Sequence, residues 1–235
     1  MADGIYVSMC GAAARSEQLD AVADNLANAQ TPGFKASRPA FQTFLPASGA
    51  TDKSYPAAVA TAFDLRPGPT SRTDNPLDVV PEDGAFLAVA TARGQRAYTR
   101  DGRLTTDAEG RLVQNGRPVL DRGGSVIQIP PGTAPQIGSD GVVQAGGVTV
   151  GELGLFKLQG PVDRVGQALL VPGRGGRADA VDGRLRTGEV ELGNASPLEG
   201  MVQLISAQRS FDASMQALQT YRAMDQRSSD LGRVR

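Results

Sequence analysis

Apolar residues recur at helical spacing in two stretches, one at each end of the chain, and the long middle lacks that period. At the front, Ile5, Met9, Ala12, Ser16, Leu19, Ala23 and Leu26 alternate steps of four and three, and Val22 widens the stripe. At the back, Leu204, Phe211, Met215 and Leu218 share a similar face that Met201 and Ile205 broaden. A lone amphipathic helix gains little in water, so each end needs a partner. The other end is the simplest partner, and the ends of other molecules come next. Periodicity alone does not separate a helix packed on its own β domain from an intermolecular coiled coil. The narrow, Ala-rich seam favours helix on helix, because small residues let backbones approach closely.

The first helix starts near Asp3 and runs to about Ala29, where Thr31-Pro32-Gly33 stops it. Proline disfavours helix in the preceding residue, and glycine suits a left-handed exit. The last helix opens at Asn194-Ala195-Ser196-Pro197, with Ser196 as N-cap, Pro197 in the first turn and Glu199 near the positive end of the dipole. Residues 34–76 are rich in Pro, Ser, Thr, Gly and Ala and read as an extended connector, with a short hairpin around Phe41–Leu45.

From Leu77 the pattern becomes short strands and tight turns. Ala85–Ala90 is an unbroken apolar run of the fully buried kind, and Arg96–Thr99 follows after a Gly94 turn. Asp101-Gly102, Glu109-Gly110 and Asn115-Gly116 predict hairpin turns, because such pairs accept positive φ angles. Further strands are expected at Arg111–Gln114, Ser125–Ile129, Val142–Gln144, Val148–Val150, Leu153–Leu158 and Ala168–Val171, and a closing strand at Arg184–Leu192. The expected fold is therefore α+β, with the N- and C-terminal helices pairing as a coiled-coil-like α domain around a central all-β domain. The corresponding domains are 1–33 with 194–235, a connector over 34–76, and a β-rich domain over 77–193.

Composition narrows the function classes. The 235 residues carry a formal charge of −1, which gives no electrostatic footprint for nucleic acid or an anionic membrane. No apolar run approaches the ~20 residues of a spanning helix, so no membrane insertion is expected. Asp3, Arg15, Glu17 and Asp20 interrupt any secretory-signal core, so the chain is expected to stay in the cytosol or leave without a cleaved signal. Cys10 is the one cysteine and reads as a small hydrophobe beside the seam. The chain has no histidine, which removes Ser-His and Cys-His nucleophiles and His-based zinc sites. No catalytic residue, metal site or cofactor is expected.

Two clusters invite chemistry. Asp101, Asp107, Glu109 and Asp121 would suit a glycosidase pair only if held at a set separation, and they read as turn residues, Asp101 and Glu109 directly beside glycine. Gly173-Arg174-Gly175-Gly176-Arg177 lacks the Gly-Lys-Ser/Thr ending of a phosphate loop and reads as a solvated hairpin tip. A secreted carbohydrate-binding or carbohydrate-active β protein and a self-contained coiled-coil adaptor stand as alternatives. The absence of Trp and His argues against the first.

The segment Asn25-Leu26-Ala27-Asn28-Ala29-Gln30-Thr31-Pro32-Gly33-Phe34-Lys35 resembles the N-terminal signature of bacterial flagellar rod and hook proteins. Asp24 stands where a first Asn is usual, and Pro32 departs from the Thr-Gly-Phe-Lys turn. Asn75–Val79 with Asp83–Leu87, Tyr98–Leu104 with Asp107–Val113, and Gly193–Val202 with Gln208–Asp212 resemble later parts of that family. The compact size and single small β domain favour a rod protein over the larger hook protein, and among rod proteins the chain looks most like the proximal-rod type, with the distal-rod type second. The resemblance implies a non-enzymatic axial subunit in the periplasmic rod of the basal body, exported unfolded by the flagellar type III apparatus. Its implied partners are copies of itself and neighbouring rod proteins. The implied assembly interface is Ile5, Met9, Leu19, Val22, Leu26, Met201, Leu204, Ile205, Phe211, Met215 and Leu218. The signature residues are Asn25, Leu26, Ala27, Asn28, Thr31, Pro32, Gly33 and Phe34.

Overall fold

A computed structural model describes residues 2–44 and 55–232 of the chain. They form an α+β protein with a helix at each end and a mostly β middle, divided into two compact units. The first unit holds α1 (Ala2–Ala27), the paired strands β1 (Ser37–Phe44) and β2 (Tyr55–Phe63) as far as Ala62, and α2 (Pro197–Gly232). Its two helices pack on each other. Ser196 caps α2 as its sequence suggests, with the Glu199 N–H 3.4 Å from its hydroxyl. α1 stops at Ala27, two residues before the expected end, because the Asn28 carbonyl accepts the Thr31 N–H in a tight turn. Of the hairpin expected at Phe41–Leu45, residues 41–44 lie in β1, and Leu45 lies outside the described residues. No helix is long and apolar enough to cross a membrane among the described residues.

The second unit comprises residues 28–36 and 63–195. Its strands are β3 (Thr70–Arg72), β4 (Val79–Pro81), β5 (Phe86–Ala90), β6 (Arg96–Thr99), β7 (Leu104–Thr106), β8 (Leu112–Gln114) and β9 (Arg117–Pro118). They continue as β10 (Pro135–Ile137), β11 (Val142–Ala145), β12 (Val148–Glu152), β13 (Leu155–Gln159), β14 (Val162–Arg164), β15 (Leu170–Pro172), β16 (Arg177–Ala180), β17 (Leu185–Thr187) and β18 (Glu189–Glu191). The largest sheet runs β14-β15-β6-β5-β13-β16, and smaller sheets are β10-β11-β12, β7-β8-β9, β17-β4 and β18-β3.

β5 sits inside the large sheet, and its side chains alternate between two cores. Leu87 and Val89 join Leu104, Leu112, Val119 and Val143 on one side, while Phe86 and Ala88 join Tyr98, Phe156 and Leu170 on the other. Two-sided burial is the reason this strand shows no polar alternation in the sequence.

The turn chemistry is partly as expected. Asn115 and Gly116 both take positive φ, 47° and 75°, and join β8 to β9 in a two-residue hairpin. Glu109-Gly110 closes the β7–β8 hairpin. Asp101-Gly102 does not make a hairpin, because β6 and β7 belong to different sheets. Gly102 is needed there for close approach: its carbonyl accepts the Val79 N–H at 3.0 Å, and a Cβ would collide with the Val79 carbonyl. The expected closing strand at 184–192 is two strands. Gly188 breaks it by donating to the Asp78 carbonyl and accepting from the N–H groups of Thr73 and Asp74. Ser125–Ile129 makes isolated bridges through Val126 and Gln128 and no strand.

The Gly102 crossing is testable by substitution. Gly102→Ala should destabilise the chain by about 2–3 kcal/mol, read as a lower urea midpoint by circular dichroism, because rigid backbone would have to yield.

Candidate functional site

The helices divide the expected interface into two sets. On α2, Gly200, Leu204, Ala207, Phe211, Ser214 and Leu218 are buried or half-buried and follow one another by steps of four and three. On α1, Ala12, Leu19, Val22 and Leu26 are likewise buried or half-buried. Met201 (53% exposed), Ile205 (54%) and Met215 face solvent, as does Met9 (49%). Ile5 lies in α1, and its side chain lies outside the described residues. Val202, Ile205, Ser206, Arg209, Ser210 and Ala213 line a shallow groove on the outer face of α2. The stripe is thus wider than one chain covers.

The signature residues divide between the two units. In the first, the Asn25 side chain bonds both backbone groups of Ser37: its amide donates to the Ser37 carbonyl, and its oxygen accepts the Ser37 N–H, both at 2.8 Å. Leu26 is half-buried and Ala27 exposed. In the second, Asn28 accepts from the Thr31 hydroxyl at 3.2 Å, Pro32 is half-buried, and Phe34 is completely buried. Gly33 sits at φ 70°, and a Cβ there would strike the Asp101 backbone, so both the angle and the space call for glycine.

The turn is held from several sides. The Gly33 N–H donates to the Glu191 carbonyl at 2.8 Å, and the Asn194 N–H donates to the Phe34 carbonyl at 3.3 Å. The Asn194 side chain accepts the Ala36 N–H and donates to the carbonyls of Asp64 and Arg66. The Arg164 guanidinium lies 4.4 Å from the Phe34 ring centre and 4.7 Å from that of Phe63, and it donates to the Lys35 carbonyl.

Beneath this turn lies a buried charge cluster. Lys35 Nζ is 2.7 Å from Glu191 Oε1, which also accepts the Gly68 N–H at 3.0 Å. Arg100 donates through Nε and Nη2 to Glu191 Oε2, and it donates to the carbonyls of Ala85 and Pro81. Lys35, Arg100 and Glu191 are each at most 2% exposed. Burial alone would raise the Glu191 carboxyl, but the Arg100 hydrogen bonds and the charges of Lys35 and Arg100 together hold it below the ordinary 4.5. The sequence reading missed this cluster, because its members lie in three distant segments and Glu191 sits in a strand that reads as half-solvated.

The carboxylates weighed for glycoside chemistry are engaged locally. Asp101 is paired with Arg103 at 2.8 Å and accepts from Gln114, also at 2.8 Å. Asp107 binds the Arg111 backbone and side chain, Glu109 pairs with Arg111, and Asp121 accepts the Ser125 N–H. Each bonds within its own turn, and Asp101 also reaches Gln114 on the neighbouring strand.

The cluster predicts an acid-sensitive fold. The folded Glu191 pKa lies below its unfolded value near 4.5, so its contribution is complete above that pH and is lost as pH falls through the folded value. Glu191→Gln should cost about 3–5 kcal/mol at neutral pH by leaving two buried cations uncompensated. It should also flatten the acid limb of stability against pH, measured by urea unfolding at stepped pH.

Three family models match the chain. The model described as flagella basal body rod protein matches residues 5–35, covering α1 and the turn. The flagellar hook protein FlgE/F/G D1 domain matches 82–145, and the flagellar basal body rod FlgEFG protein C-terminal model matches 186–231. The flagellar basal-body rod protein FlgF of Mesorhizobium japonicum is 33% identical over 239 residues, covering 99% of both chains. FlgF of Salmonella typhimurium is 30% identical over 249 residues, covering 98% of both. The flagellar basal-body rod protein FlgG of Buchnera aphidicola is 28% identical, over 98% of this chain and all of that one. With helical ends, the buried turn and near full-length identity at this level, the chain belongs to the flagellar basal-body rod protein family.

Proposed function

We propose that this protein is a structural subunit of the flagellar rod, polymerised through its terminal helices after export by the flagellar type III apparatus. Its place is the basal-body rod in the periplasm, in the proximal type, beside copies of itself and neighbouring rod proteins. In this reading, segments 1–33 and 194–235 are the assembly domain, 34–76 is the connector and 77–193 the outer β domain.

The observation that carries the reading is the apolar set left outside on the helices. Met9, Met201, Val202 and Ile205 lie in solvent on elements whose other faces are packed. A monomer gains nothing by keeping large aliphatic side chains in water at regular helical spacing, whereas neighbouring helices would bury them. Leu19, Val22, Leu26, Leu204, Phe211 and Leu218 then hold the pair together, and Met9, Met201, Ile205 and Met215 meet neighbours. Nothing in the carboxylate geometry favours a carbohydrate site.

The double variant Met201→Asp with Ile205→Asp tests this, because both side chains are exposed and neither supports the single chain. The chain should fold with an unchanged circular-dichroism spectrum. Its recovery in isolated basal bodies should fall at least about tenfold, the factor that corresponds to ~1.4 kcal/mol lost at the interface. Wild-type recovery would overturn the reading.

A further inference from the structure

The second unit closes on itself through one long seam. Residues 64–82, where the chain re-enters the unit, bond along their length to residues 184–194, where it leaves. The Asn194 amide donates to the carbonyls of Asp64 and Arg66, and the Leu192 N–H donates to the Pro69 carbonyl. β18 then pairs with β3, from Glu191 opposite Thr70 to Glu189 opposite Arg72. Gly188 bonds Thr73, Asp74 and Asp78, and β17 pairs with β4 from Thr187 opposite Val79 to Leu185 opposite Pro81. The Glu82 N–H, donating to the Arg184 carbonyl, ends the seam. Neither β3 nor β4 has another strand partner.

The same exit segment supplies the turn at residues 28–36 with the Glu191 carbonyl, the Glu191 carboxylate and both faces of the Asn194 amide group. Two glycines mark how closely it lies on its neighbours. A Cβ on Gly68 would stand 2.2 Å from the Leu192 carbonyl oxygen, and one on Gly193 would stand 2.6 Å from that of Ala29. Gly68 and Glu191 meet across 123 residues of chain, whereas the β5–β6, β7–β8, β8–β9, β11–β12 and β14–β15 pairs join consecutive strands. Closing so long a loop costs more chain entropy than closing a hairpin, and Lys35 and Arg100 find their shared carboxylate only at that closure. We infer that residues 184–194 are a late-closing strap. The hairpins form before it, and the re-entry segment and the turn take their final shape together when it docks. A chain still being synthesised, or threaded end first through a channel, lacks one side of the seam and keeps the turn open. The inference concerns the folding of a single chain and does not depend on the rod reading.

Pulsed hydrogen exchange, read by NMR of the refolded full chain, tests the order. The chain is refolded after a brief exposure to urea, which leaves its prolines in their native isomers. The amides of β5 and β6 should become protected first. Those of Gly33, Gly68, Thr73, Asp74, Gly188 and Leu192, all bonded across the seam or the turn, should follow in one phase at least about fivefold slower. Gly193→Ala, which forces the strap off the turn backbone, should speed native-state exchange of those six amides at least about tenfold and leave β5 and β6 unchanged. Protection of the six in the same phase as β5 and β6 would overturn the inference. So would protection of Gly68 or Thr73 ahead of Leu192, or a Gly193→Ala chain in which β5 and β6 loosen equally. If that variant does not fold, the order in the wild-type chain decides alone.

Discussion

A carboxylate removed from water is costly, and Glu191 is removed completely, so its surroundings have to compensate on every side. They do so with an ammonium, a guanidinium and a backbone N–H drawn from three separate parts of the chain. The cations need the carboxylate as much as it needs them, which makes the cluster close all at once or not at all. Because Lys35 belongs to the turn that follows α1, closing the cluster also fixes the turn. Gly33 and Phe34 add backbone bonds to the same β18 region, and Arg164 covers the Phe34 ring. The shape of the turn at residues 28–36 is therefore set by strand β18, far along the sequence.

The helical unit obeys a different economy, one of shape rather than charge. Its inward face mixes the small Ala12 and Ala207 with Leu218 and the half-buried Phe211, and the small side chains permit close helix approach. Met201 and Ile205 remain outside. A stripe wider than its single partner can cover is a recipe for further association, and it costs the monomer only modest exposure. The β unit works the other way, hiding nearly all of its large apolar side chains in two cores and offering polar or charged groups at its grooves and edges.

Much of this was legible beforehand where the cause is local. The helix at each end, the Ser196 cap and the Asn115-Gly116 turn depend only on neighbouring residues, and the structure has all of them, although Met9, Ser16, Ala23 and Met215 of the expected stripes are exposed. Asp101-Gly102 was misread because its glycine answers a steric demand from Val79, distant in the chain, and not a demand for positive φ. The strand at 184–192 was read as continuous because nothing local marks Gly188 as the point where backbone bonds pass to Asp78 and Thr73. Asn25 joins the helix to a strand through its bonds to Ser37, a partner that its place near the helix end does not reveal.

The sequence by itself determined the class of the fold, the two helical ends, most of the short strands and the family signature, because periodicity, turn chemistry and motif spacing are properties of adjacent residues. Only the tertiary structure decided which half of each helical stripe is covered and which half stays in solvent. It alone brought Lys35 and Arg100 to Glu191, across separations of 156 and 91 residues. Charges so far apart in the chain leave no periodic trace, and their pairing is set by where the sheets place them.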